Sequence, residues 1–106
     1  MKNGTDQSVR ESWYLMSCSF PDLNWARLRV LASGQAEVFD CDGRTTRFSS
    51  EEDARMWLFE DEFTAFDTLD AEDEVEFGIR LSDIRVPSGK TDEELKPQML
   101  VKAGGR

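Results

Sequence analysis

The chain contains no histidine. That absence removes Ser-His-Asp and Cys-His triads, imidazole proton shuttles, and most zinc and iron sites. A metal would have to be a hard cation on oxygen ligands, magnesium or calcium. Only two cysteines are present, Cys18 and Cys41. Both stand in apparent strands that flank a third, which sets them roughly 10 Å apart by strand spacing. A disulfide cannot span that gap, so both are read as buried free thiols. The longest uncharged apolar runs, such as "MWLF", fall far below the roughly 20 residues that cross a bilayer. The opening "MKNGTDQSVRESW" lacks the apolar stretch of a secretory signal. The expectation is a cytoplasmic protein with no membrane span and no cofactor.

What is present is enough for one core. Seven Phe and three Trp among 106 residues supply the apolar surface that a single small domain needs. The expected organisation is a flexible N-terminus over 1–12, one domain over 13–90, and a C-terminal segment over 91–106, partly ordered or docked as an edge strand. The net charge of −9 is concentrated. Twelve of the 22 acids lie between Glu51 and Glu76, where Arg55 is the only base. Such a segment repels phosphate backbones and anionic membranes and attracts a basic partner.

The first half alternates as strands do. "WYLMSCSF" (13–20) is aromatic and apolar, and "PDLN" follows as a turn. In "WARLRVLA" (25–32), Ala26, Leu28, Val30 and Ala32 share one face while Arg27 and Arg29 share the other. "SGQ" and "DG" turn the chain twice more. Three-residue loops would set Ala32 opposite Ala36, Val30 opposite Val38, Ala36 opposite Phe48, and Glu37 opposite Arg47. The burial of the first strand's two faces is left open by its pattern.

A helix is expected from Ser49 or Ser50 as N-cap, with Glu52 or Asp53 completing a capping box. "EEDARMWLFEDEFTAF" carries two apolar stripes: Ala54, Trp57, Leu58 and Ala65, and nearly opposite them Met56, Phe59, Phe63 and Phe66. A second short, acidic helix is expected over Leu69–Phe77, capped by Asp67 or Thr68 and closed by Gly78. "IRLSDIRVP" reads as a further strand, and "QMLVK" as an added edge strand or docked tail. The fold class is therefore α+β. A three- to four-stranded antiparallel meander is followed by a helix on one face and the short acidic helix. Its expected core is Leu28, Val30, Val38, Phe48, Ala54, Trp57 and Leu58, with Met16 and Cys18 added.

"VFDCDGRT" (38–45) resembles the opening motif of haloacid dehalogenase-type phosphatases over these eight residues. The resemblance implies Asp40 as nucleophile and Asp42 as acid/base beside magnesium. The surroundings oppose it. Glu37 makes the strand half exposed, "RTTRF" returns as a strand, and the 66 residues after Asp40 cannot hold a doubly wound sheet. A calcium loop counted from Asp40 puts Glu51 at position twelve but Thr45 where glycine is needed. The motif reads as an Asp-Gly hairpin turn.

The candidate site lies further on. Phe59, Glu60, Glu62, Phe63, Phe66, Asp70, Glu72, Asp73 and Glu74 combine aromatic anchors with carboxylates, as a surface for a basic protein would. The expected function is a small non-enzymatic interaction domain of inhibitor, immunity or adaptor type. A second reading uses Arg27, Arg29 and Arg47 with Phe39 and Trp13 or Trp25 as an open sheet face for nucleic acid or a small ligand. A third, an enzyme, would need Cys18 or Cys41 as an activated thiolate.

Overall fold

The computed structural model describes residues 7–20 and 22–102. Pro21 of the first expected turn, the opening of the N-terminal segment and the final "AGGR" lie outside the described residues. Six strands and three helices follow in order. They are β1 (Ser8–Met16), β2 (Leu23–Leu31), β3 (Ala36–Asp40), β4 (Thr45–Phe48), α1 (Glu51–Glu60), β5 (Phe63–Ala65), α2 (Ala71–Phe77), α3 (Asp92–Leu95) and β6 (Leu100–Val101). The fold is α+β. Strands β1 to β4 form an antiparallel meander, α1 crosses one face, and β5 closes on β1, giving the order β4-β3-β2-β1-β5 in an open sheet. β6 pairs with Leu23 and Asn24 at the start of β2.

Both meander turns after β2 are three-residue loops with glycine in the left-handed region. At Ala32–Gly34, the Gly34 N–H donates to Leu31 O at 2.9 Å and Leu31 N–H to Gln35 O at 2.7 Å. At Cys41–Gly43, the Gly43 N–H reaches Asp40 O at 2.9 Å. Gly34 and Gly43 have φ of 95° and 80°, which a side chain would strain. The second loop gives the expected pairs Ala36–Phe48 and Glu37–Arg47. The first loop sits one residue earlier than expected because Gly34, not Gln35, takes the left-handed position. The pairs are therefore Val30–Ala36 and Leu28–Val38. A two-residue shift in pairing leaves every side chain on its expected face.

One face of the sheet is covered by α1. Tyr14, Ala26, Leu28, Ala36, Val38 and Phe63 meet Ala54 and Leu58 there, with Met16, Phe48 and Trp57 at the margin. Ala54 and Leu58 are one helical turn apart, so one stripe of α1 makes the contact. Burying a side chain the size of Leu58 contributes about 1.5–3 kcal/mol. Ser50 caps the helix through its hydroxyl, which accepts from Asp53 N–H at 3.1 Å, worth about 1 kcal/mol.

The opposite face departs from expectation. It is a second core of Leu15, Trp25, Phe39, Leu95 and Met99, bordered by Phe66, Leu69, Ile84 and Val86. The stretch read as a strand, "IRLSDIRVP", instead forms a 3₁₀ turn at Leu81–Asp83 within an irregular layer over this face. Arg27, expected on an open surface, is 1% exposed. Its guanidinium donates to Asp92 at 3.0 Å and stands 5.0 Å from the Phe39 ring centre. The strand β1 begins at Ser8, inside the segment expected to be flexible. Cys18 is exposed on a 3₁₀ turn rather than in the core, and Cys41 lies in the β3–β4 loop. Val30 is half-buried rather than core.

Candidate partner-binding groove

The single helix expected through Phe66 is broken after Glu60. The Asp61 N–H still donates to Trp57 O and Leu58 O, and Glu62 N–H to Phe59 O at 3.0 Å. Glu62 then takes φ 65°, the left-handed conformation that glycine or asparagine normally supplies at a helix end. The reversal sends Phe63–Ala65 back along β1 as β5. The Glu62 carbonyl anchors this corner by accepting from both Ser17 N–H at 2.7 Å and Ser17 Oγ at 2.8 Å.

A groove of about 510 Å³ opens between α1 and β5. Its helical wall carries Glu52, Met56, Phe59 and Glu60, residues that share one face at spacings of three, four and seven. Tyr14 and Phe63 form the floor, and Thr64, Ala65 and Thr68 line the strand side. Phe59 is 79% exposed and Met56 56% exposed. Side chains so large, apolar and exposed form an apolar patch of the kind found at contact surfaces. The rim is acidic. Arg55 is engaged by Glu51 at 2.9 Å, whereas Glu52 and Glu60 have no ion-pair partner among the described residues.

The nine site residues expected from sequence are thus divided. Phe59, Glu60 and Phe63 meet at the groove, but Phe63 is 6% exposed and belongs to the core, correcting its place on an exposed stripe. Phe66 lies on the other side of the sheet, its ring 5.3 Å from Trp25 at 65°. Glu62 serves through its backbone. Asp70 caps α2 by accepting from Glu72 and Asp73 N–H, and the Asp73 carboxylate accepts from Asp70 N–H at 3.0 Å. The Glu74 carboxylate holds Leu81 N–H at 2.7 Å. None of the four α2 acids lines the groove. Sequence reading missed Tyr14, Glu52, Arg55, Met56, Thr64, Ala65 and Thr68 as lining residues. Glu52 was accessible through its helical spacing to Met56 and Phe59; the strand residues were hidden because "FTAF" continues the helical pattern.

The other sequence candidates are accounted for by local bonding. Among the described residues Asp40 pairs with no arginine; its Oδ1 accepts from Asp42 N–H at 3.0 Å and Arg44 N–H at 3.1 Å, closing the hairpin. Glu37 does find Arg47, at 3.4 Å. No three metal-ligating side chains converge among the described residues. Desolvation, then the Glu62 carboxylate, pushes the Cys18 thiol above its ordinary value. Burial, then Asp42 and Asp40, does the same to Cys41. Both shifts run opposite to the lowering that an activated thiolate needs. No helix among the described residues is long and apolar enough to cross a membrane. No protein-family model, curated protein or solved structure matches the chain.

Proposed function

We propose that the protein is an interaction domain that binds a basic segment of a partner protein in the α1–β5 groove, as an inhibitor, immunity protein or adaptor would. The observation that carries this reading is the pair Met56 and Phe59, exposed over an apolar floor and bracketed by Glu52 and Glu60, carboxylates with no ion-pair partner among the described residues. Apolar anchors supply affinity and the carboxylates supply steering and selectivity for cations.

A second observation supports it. Glu60, Asp61 and Glu62 crowd the C-terminal end of α1, where the last turn holds no base. Carboxylates there face the negative end of the helix dipole. An incoming lysine or arginine would relieve that repulsion, so part of the binding energy is stored in the free protein. Both thiols are free, which suits action in a reducing compartment such as the cytoplasm. The alternative of an open arginine face loses its support, because Arg27, Trp25 and Phe39 are buried under the irregular layer.

The test compares wild-type protein with Phe59→Asp as bait. Capture of a partner that fails with the variant and weakens with salt is expected, with the variant's melting temperature unchanged. Partners retained equally by both baits would overturn the assignment to this groove.

A further inference from the structure

The groove has a second component besides its side chains. β5 is the outermost strand on its side of the sheet, and its ladder alternation settles which backbone groups face outward. Ser17 N–H donates to Glu62 O, so Ser17 stands at a hydrogen-bonding position of the β1–β5 ladder although the Glu62 N–H turns back to Phe59 O. The register then makes Leu15–Thr64 a hydrogen-bonded pair and leaves Met16–Phe63 and Tyr14–Ala65 as non-bonded pairs. The N–H and C=O groups of Phe63 and Ala65 therefore point away from β1, along the groove. Ala65 O is taken by the Thr68 hydroxyl at 2.7 Å, which leaves the Phe63 groups and the Ala65 N–H as the edge on offer.

Edge strands are commonly blunted by charge, proline or a covering element. β5 reads Phe-Thr-Ala, with no charge and no proline. At the opposite edge, β4 carries Arg47, held by Glu37. The unblunted edge is the one that borders the groove.

We infer that the partner segment binds as an added antiparallel or parallel strand on β5, with the alternate side chains that face α1 placing apolar groups on Met56 and Phe59 and, further along that same face, lysine or arginine on Glu52 and Glu60. This rests on the groove being the binding surface. Strand addition supplies main-chain hydrogen bonds for affinity, and the pockets beside the edge select alternate side chains. Charge decides the occupant. A second copy would bring another strongly acidic segment against Glu52 and Glu60, whereas a basic strand neutralises them. Two-residue alternation also matches the pleat, which a helical ligand cannot do while using the β5 edge.

The probe is a synthetic peptide of about ten residues, a common strand length, in which one set of alternate positions holds both valine and lysine and the other set holds threonine. Its comparator has the same composition arranged with helical spacing. Binding to the full chain is measured with amide hydrogen exchange. The alternating peptide should bind at least tenfold more tightly than the comparator and slow exchange at Phe63 and Ala65 about tenfold or more. Ala65→Pro removes the outward N–H; Ala65 already has φ −63°, which proline adopts without strain. It should weaken binding about tenfold. N-methylation of the peptide on the edge facing β5 should do the same with the protein unaltered, so the test stands even if the variant folds poorly.

Equal binding of both peptides at Met56 and Phe59, with no protection of β5 and no effect of N-methylation, would overturn strand addition while leaving the groove reading intact. Absence of any response at the groove to either peptide would overturn both. Protection of Phe63 and Ala65 that grows with protein concentration alone would assign the edge to a second copy and overturn the inference.

Discussion

The proposed binding would use Glu60 at the expense of the fold. Glu60 closes α1 beside Asp61 and Glu62, at the helix end where a cation would be favoured. Glu60→Lys should therefore raise stability by about 0.3–1 kcal/mol, the usual range for a charge at a helix terminus. Thermal melting should show an upward shift while affinity for the lysine–valine peptide falls. A lowered melting temperature would show that Glu60 has a structural partner. The thiols give a second residue-scale expectation. With both pKa values raised, the thiolate fraction at neutral pH is below that of an unperturbed cysteine. Iodoacetamide should alkylate the native protein more slowly than the unfolded chain, with both midpoints shifted to higher pH. The stability linked to these thiols is fully present below the unfolded midpoint and is lost as pH rises through the folded one. Fast alkylation at neutral pH would restore the thiolate reading.

Among the elements, local chemistry that includes a specific turn residue was readable. Gly43 fixes the β3–β4 loop, and the pairs Ala36–Phe48 and Glu37–Arg47 follow from it. Gly78, at φ 69°, closes α2 as its position suggests, although the cap is Asp70 rather than Asp67 or Thr68. The end of α1 was not readable, because Glu62 occupies a conformation its type rarely adopts and periodicity carries on through "FTAF". That single residue decides whether Phe63 is a surface anchor or core. The irregular layer over the second face was equally hidden, since it has little secondary structure to leave a periodic trace. Its hint was β2 itself, where Leu23, Trp25 and Leu31 alternate on the arginine side. A strand apolar on both faces is covered on both. Met99 is fully buried in that layer, and Met99→Ala should cost about 2–4 kcal/mol, as for other large core truncations. Chemical denaturation with a cost under about 1 kcal/mol would mean that the layer is only loosely docked.

At the scale of the whole molecule, burying one sheet face under α1 and the other under the C-terminal layer leaves few places for a partner. The arginines that suggested an open face are spent internally: Arg27 on Asp92 and Phe39, Arg29 on Glu11, Arg47 on Glu37. The acidic segment remains outward, yet Asp70 and Asp73 cap α2 and Glu74 tethers Leu81. Composition located the charge correctly along the chain but could not separate carboxylates that hold the fold from those free to bind. Glu52 and Glu60, which have no ion-pair partner among the described residues, border the α1–β5 groove. The most direct test is to map amide shifts of the full chain during titration with the lysine–valine peptide, at low and at high salt. Shifts centred on Met56, Phe59, Phe63, Thr64, Ala65 and Thr68, fading as salt screens Glu52 and Glu60, are the expected result. Shifts confined to the α2 acids between Asp70 and Glu76, or none at the groove, would contradict the account.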